Sequence, residues 1–133
     1  GDYGAKPGKF QRIEAGTDKV SDIAVAVKGF DIVGDKAYIY NFEYDANWAI
    51  ANKTVKIYDV KSEKLLTDNV IATTTLDKTP YGINVDPVSK NIFVGVTDYV
   101  NNGKMYCFGE DGVLKYTFTT GVNPTKIVFI TNK

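Results

Sequence analysis

The sequence predicts an all-β chain built from two antiparallel four-stranded units with a few orphan strands. Three observations carry this expectation. Apolar and polar residues alternate with a period of two, most plainly in Ala37-Tyr-Ile-Tyr-Asn-Phe42 and Thr54-Val-Lys-Ile-Tyr-Asp-Val60. Short Gly-, Asp- and Ser-containing strings interrupt these runs at hairpin spacing. No stretch keeps a helical apolar stripe, although residues 46–51 have room for a single turn.

Length and composition set the frame. The chain has 133 residues, enough for one domain with a real core. It is 44% hydrophobic and 24% charged, the balance of a globular chain rather than a disordered one. Nine Tyr and seven Phe favour strands. Sixteen basic and sixteen acidic residues cancel, so no basic excess argues for nucleic acid or an anionic membrane surface. No apolar run approaches the ~18 residues of a spanning helix. The single cysteine, Cys107, rules out an intrachain disulfide. Gly stands at position 1 instead of Met, which reads as a processed end or a fusion scar from which any signal sequence has gone.

Taken in order, residues 1–9 carry three Gly and one Pro and read as a loose entry. Residues 10–13 form a short strand and 23–27 a second. Gly29 precedes a strand at 30–33, and Gly34-Asp-Lys36 is a tight turn. Strands at 37–42 and 54–60 flank a long loop, 43–53, holding Tyr44, Asp45, Asn47 and Trp48. Residues 61–64 form a charged turn before Leu65-Leu66. A Thr-rich connection covers 68–78. Residues 79–120 then hold four apolar runs separated by a turn, a polar loop and another turn, which is one complete antiparallel sheet. Lys126-Ile-Val-Phe-Ile130 reads as a last apolar strand. At alternating core positions, Ile57, Val85, Ile92, Val94, Cys107, Leu114, Phe118 and Val128 are expected to be buried.

The units repeat. Phe30–Val33 corresponds to Ile83–Asp86, Tyr38–Tyr40 to Phe93–Gly95, Val55–Asp59 to Met105–Gly109, and Leu65-Leu66 to Val113-Leu114, at a period of roughly 50 residues. Thr79-Pro-Tyr-Gly-Ile83 has a later partial echo in Asn123-Pro-Thr-Lys-Ile127. The turn chemistry repeats together with the strands. The first unit therefore covers 29–67, the second 79–120, and a closing strand lies within 121–133. Four antiparallel strands per repeat are the size of a β-propeller blade, and a small β-sandwich is the alternative.

Pro80-Tyr-Gly-Ile-Asn-Val-Asp-Pro-Val-Ser-Lys-Asn-Ile-Phe-Val94 resembles the opening strand-turn-strand of blades in YncE-like and surface-layer β-propeller proteins. Val55-Lys-Ile-Tyr-Asp-Val-Lys-Ser-Glu-Lys-Leu-Leu66 is similar to their following hairpin. Phe118-Thr-Thr-Gly-Val-Asn-Pro-Thr-Lys-Ile-Val-Phe129 resembles the C-terminal end of such exported proteins from Bacteroides-type bacteria. The resemblance covers about residues 29–130 and implies an extracytoplasmic location: cell surface, periplasm or secreted. Such propellers have six to eight blades, and two cannot close a ring. Three explanations follow: a C-terminal portion of a longer propeller, a chain whose copies assemble into a ring, or strands folded back into a sandwich.

Catalysis has little to stand on. With no His, Ser-His and Cys-His nucleophile pairs are impossible, and His-based zinc sites are excluded. The carboxylate pairs Asp31 with Asp35 and Glu110 with Asp111 sit at turns and read as solvated. Cys107 reads as a buried, inert thiol. Asp98-Tyr-Val-Asn-Asn-Gly103 has some EF-loop character, but Val100 occupies a ligand position and the closing Glu is missing. Asn52-Lys-Thr54 matches a glycosylation acceptor, a short and common pattern. No metal or cofactor is expected.

The connections are more informative. Antiparallel strands send them alternately to two faces. One face takes the short, mostly charged turns 34–36, 61–64, 86–91 and 109–112. The other takes 43–53, 68–78, 98–103 and 121–124, which hold Tyr44, Asp45, Asn47, Trp48, Tyr99, Asn101 and Asn102. Rings that stack beside amides and carboxylates that hydrogen-bond suit sugars or peptides. The expected function is a non-catalytic binding or adhesion scaffold for a protein, peptide or glycan. The alternatives are part of a larger propeller enzyme whose catalytic residues lie on other blades, and a structural module that self-associates through open sheet edges.

Overall fold

A computed structural model describes residues 6–71 and 76–131. The first half of the expected loose entry, part of the Thr-rich connection and the last two residues lie outside the described residues. Ten strands and no helix are found among the described residues. They are β1 (Phe10–Ile13), β2 (Val20–Ile23), β3 (Gly29–Val33), β4 (Lys36–Tyr44), β5 (Ile50–Asp59), β6 (Lys64–Thr67), β7 (Thr79–Val85), β8 (Ile92–Thr97), β9 (Lys104–Phe108) and β10 (Leu114–Thr119). All pairing is antiparallel. β1 and β2 form a hairpin, β3-β4-β5-β6 one blade-like sheet and β7-β8-β9-β10 another. The repeat read in the sequence pairs β3 with β7, β4 with β8, β5 with β9 and β6 with β10.

Three hairpins turn on one device: an acidic residue, a hydroxyl residue three positions on, and a left-handed residue after that. Asp59 Oδ1 accepts from the Lys61 and Ser62 amides at 2.9 and 2.7 Å, and Glu63 follows with φ 57°. Asp86 accepts from the Val88 amide at 2.9 Å and the Ser89 hydroxyl at 2.7 Å, and Lys90 follows with φ 61°. Between β1 and β2, Thr17 donates to Glu14 at 2.8 Å and Asp18 has φ 55°. In the Asp59 and Asp86 turns the acid holds turn amides that no ladder reaches, which is why short polar strings suffice to reverse the chain.

Strand alternation builds four layers. Phe10 of the hairpin packs with Ala37, Ile39 and Tyr58 on one face of the first sheet. Tyr38, Val55 and Ile57 on its other face meet Ile83, Val85, Ile92, Val94, Val96, Tyr106 and Phe108 of the second. Phe93, Met105 and Cys107 on the far face of the second sheet are covered by Ile127 and Phe129 of the C-terminal segment. Each four-stranded sheet is thus covered on both faces, and β8 is buried at every position. A two-layer sandwich would instead leave each outer face solvated.

The sheets meet along one edge and spread apart at the other. β7 lies against β3 and β4, while β6 and β10 do not touch. Val70, Ile71 and Leu76 from the connection fill the wider side. Polar joints tie the two sheets together. Asp31 Oδ2 accepts from the Val85 amide at 2.8 Å, and the Tyr40 hydroxyl donates to the Tyr81 carbonyl at 3.0 Å. Glu110 Oε1 takes Lys36 Nζ at 2.8 Å and the Tyr38 hydroxyl at 3.2 Å. Asp31 and Glu110, expected on a solvated face, are half-buried at this joint.

Four expectations need correction. Of the eight predicted core residues, Ile57, Val85, Ile92, Val94 and Cys107 are buried, but Leu114, Phe118 and Val128 are 40%, 43% and 77% exposed. Leu114 and Phe118 lie on β10, an outer edge strand with every position exposed. The closing strand expected within 121–133 is no strand over 121–131. It crosses the second sheet with Ile127 and Phe129 inward and Val128 and Ile130 outward. The strand expected at 23–27 lies at Val20–Ile23, because the Val25 amide donates back to the Ile23 carbonyl at 2.8 Å and turns the chain. The loop expected over 43–53 is mostly strand: β4 and β5 continue past a bulge at Asn41/Glu43 as a two-stranded arm, leaving 45–49 as its tip.

Candidate ligand-binding loop face

The arm tip is built by Asp45. Its Oδ1 accepts from the Asn47 and Ala49 amides at 2.8 and 2.9 Å, and its carbonyl accepts from the Trp48 amide at 3.0 Å. This tight closure puts Trp48 at φ 62°, a backbone region that a bulky side chain seldom adopts. The indole is 70% exposed. It tilts against Tyr44 at 6.0 Å between centroids, and Tyr44 meets Phe42 edge-on at 5.8 Å. Lys28 Nζ stands 5.0 Å from the Phe42 centroid and 5.9 Å from that of Tyr44. An open cavity of about 450 Å³ lies beside these groups, with Phe42, Tyr44, Asp45, Trp48, Lys28 and Pro7 among its walls.

The second loop, 98–103, is organised by Asp98. Its carboxylate accepts from the Val100 and Asn101 amides at 3.0 and 2.8 Å and from Asn101 Nδ2 at 3.0 Å, and it pairs with Lys78 Nζ at 3.1 Å. These donors, the Asn101 side chain first, hold the carboxyl well below the usual carboxylate range. Both oxygens are therefore engaged by the loop itself and by a lysine. Among the described residues, no group of three or more His, Cys, Asp or Glu is placed to hold a metal ion. Tyr99 follows with φ 69° and meets Tyr81 edge-on at 5.8 Å.

Burial raises the Tyr99 pKa, and Tyr44 and Tyr81 raise it further. Burial likewise raises that of Tyr40, with Tyr99 and Tyr81 adding to it. Tyr40 and Tyr99 both meet Tyr81, the first through its hydroxyl on the Tyr81 carbonyl and the second edge-on, where β4 and β7 lie together. Of the residues singled out in the sequence, Tyr44, Asp45 and Trp48 wall the cavity, while Tyr99 packs on Tyr81 and is not among the cavity's walls. Asn47, Asn101 and Asn102 are exposed at the loop tips. Asn101 spends its amide on Asp98, and the Asn102 carbonyl accepts from Lys78 Nζ at 3.2 Å. Sequence reasoning missed Lys28, Phe42, Tyr40 and Tyr81. The signal for Tyr40 was present, since it shares a strand face with Tyr38. Lys28 reaches the site through the β3–β4 hairpin, and Tyr81 through the packing of β7 on β4, which only the stacking of the two sheets decides.

No protein-family model matches this sequence, and no curated protein is detectably similar to it. Among the described residues, no helix is long and apolar enough to cross a membrane.

Proposed function

We propose that the chain is a non-catalytic binding scaffold of propeller type that presents the face formed by its 45–49 and 98–103 loops to a glycan or peptide. The observation that carries this reading is the exposed Trp48 ring, backed by Tyr44, at the mouth of the 450 Å³ cavity. An indole in a left-handed position, with its face bare, does little for the sheet behind it. It offers a rigid surface on which a pyranose face or a peptide side chain stacks, and Lys28 and the amides of Asn47 and Asn102 supply hydrogen bonds at the margin. Two things support the propeller part of the reading. The sheets are covered on both faces and diverge from a common edge, as sectors around an axis do. The resemblance of the hairpin strings to surface-layer propellers points the same way and supports a place outside the cytoplasm.

Glycan and peptide arrays probed with the wild-type chain and with Trp48→Ala test the reading. Loss of an aromatic anchor is expected to cost more than ~1 kcal/mol, several-fold in affinity, with the far-ultraviolet circular dichroism unchanged. A ligand bound equally well by wild type, Trp48→Ala, Tyr44→Ala and Tyr99→Ala would show that these rings only pack the loops.

A further inference from the structure

The first sheet lacks a piece of ladder that the second has. In the repeat, Ala26 and Val27 stand where Thr79 and Pro80 stand in the second unit, and Asn41 and Phe42 where Val96 and Thr97 stand. In the second sheet these positions pair: β7 and β8 lie together at Pro80↔Val96 and Thr79↔Thr97. In the first they do not. The β3–β4 ladder stops at Gly29↔Tyr40, beyond which only the Lys28 amide reaches across, donating to the Tyr40 carbonyl at 3.0 Å. Val27 instead sets its carbonyl oxygen against Gly8, where a Cβ would lie 2.6 Å away. β4 runs on to Tyr44 with a strand on its β5 side alone, through Glu43↔Ala51 and Tyr44↔Ile50.

The 450 Å³ cavity lies in this gap. Its walls take every residue from 41 to 46 on one side and from 26 to 28 on the other. A groove over a sheet face would meet alternate residues of a strand. A cleft met by successive residues runs along the strand's edge, where backbone groups point. Alternate residues of a strand turn N–H and C=O to each side, and among the described residues no backbone bond reaches 42–44 from the β3 side. What the second sheet holds at this place, and the first does not, is a length of extended backbone.

Charge narrows the occupant. Glu43 Oε2 accepts from Asn52 Nδ2 at 2.6 Å, and Asp45 is spent on its turn amides. Lys28, resting over the Phe42 and Tyr44 rings, pairs with no carboxylate among the described residues. The cleft thus offers an uncommitted cation beside an aromatic wall, with Trp48 leaning on Tyr44 at its end. We propose that an extended peptide with an acidic residue adds to the β4 edge, antiparallel to β4, as the strand segment the first sheet lacks. Its carboxylate meets Lys28, and an apolar side chain on the same face meets Tyr44 and Trp48. Residues on one face of a strand recur at every second position, so the acidic and apolar residues stand an even number of positions apart. Strand addition presupposes the loop-face reading and narrows its ligand to a peptide, because a glycan has no regular row of amides to continue the ladder.

A random heptapeptide phage library selected on the whole chain tests it, followed by fluorescence anisotropy with the enriched peptide and with copies N-methylated at one backbone amide each. The enriched sequences are expected to share an acidic and an apolar residue at even spacing. N-methylation should cost about tenfold in affinity at every second position and little between, because only alternate amides face β4. Lys28→Glu should weaken binding about tenfold or more, and a peptide with Lys in place of its acid should recover it. Lys28 and Trp48 are exposed, so circular dichroism of Lys28→Glu and Trp48→Ala should match wild type, and this is checked first. Failure to enrich any sequence overturns strand addition. So does a peptide indifferent to Lys28→Glu, or one whose N-methylated copies show no alternation. The loop-face reading fails separately. A glycan bound through Trp48 with no peptide selected leaves that reading standing and overturns strand addition, whereas peptides and glycans all indifferent to Trp48→Ala overturn both.

Discussion

The two four-stranded sheets have the same strand order, yet they solve the same end of the sheet in opposite ways. In the first, the central strands run on as an arm that carries bare rings at its tip. In the second, the corresponding strands stop at a loop collapsed around Asp98, and the space above them is filled by Pro124. The divergence traces to one repeat position. Tyr40 in the first sheet corresponds to Gly95 in the second. A Cβ at Gly95 would lie 2.5 Å from the Pro124 carbonyl oxygen, and one at Gly82 2.8 Å from the Thr125 Cα. Where the side chain is a phenol, it ties β4 to the Tyr81 carbonyl; where there is none, the backbone of the next segment settles into the notch. A repeat thus keeps its frame while one position decides whether that end of the sheet is left open or sealed.

The comparison can be broken most sharply at buried against edge strands. Ile57→Ala, between the sheets, is expected to cost ~2–5 kcal/mol in a denaturant titration, whereas Leu114→Ala on β10 should cost less than ~1.5 kcal/mol. Equal losses would mean that β10 is covered in solution. Next in size, Gly95→Ala forces a methyl against a backbone oxygen and should cost ~1–3 kcal/mol. Amide exchange should quicken at Gly103 and Thr120, whose amides donate to the Gly121 and Gly103 carbonyls beside Pro124, and remain as in wild type in the arm; a uniform change would deny that Pro124 is seated there. Asp31→Ala leaves the Val85 amide without its acceptor at the joint and should cost ~1–2 kcal/mol. A double-mutant cycle with Ile57→Ala then shows whether the joint and the core between the sheets act together.

The smallest effect is a pH dependence. Burial, with the Glu110 charge and hydrogen bond adding to it, pushes the Tyr38 pKa above the ordinary tyrosine value, up to about 12. Its folded-state pKa is raised, so this contribution is whole below about pH 10 and is lost as pH rises toward about 12. Melting temperature should fall across that window, and Tyr38→Phe, costing ~1 kcal/mol at neutral pH, should flatten the fall. An unchanged slope would place the alkaline loss with other tyrosines.

Most of the frame was legible in the residues, because alternation and turn chemistry are local. Strands β3–β10, their boundaries within a few residues, and the two units followed from period two and the Asp-Ser turns. Whether a strand is central or outermost is not local. Leu114 and Phe118 alternate as Ile92 and Val94 do, and only the stacking of sheets decides which set meets solvent. The extended segment 126–130 has the composition of a strand, but a ladder needs a neighbour as well as a propensity. The arm was missed because Glu43, Asn52 and Lys53 are polar, and a two-stranded arm in water has no buried face to give it an apolar stripe. At the loop face, the rings and tip polar groups could be read from the sequence. That Asp45 and Asp98 spend their carboxylates on turn amides could not, since a binding carboxylate and a capping one have the same letters.

Every neighbouring pair of strands in the two sheets is also a neighbouring pair in the chain. Closing each hairpin therefore brings together residues already near one another, and the entropy lost in doing so is small. Each sheet can form its ladder without waiting for the other. The long-range work of folding is left to the faces, where Tyr38, Ile57 and Val94 find cover only when layers stack. Such a chain should zip locally and dock late, with its rate set by how quickly finished hairpins collide.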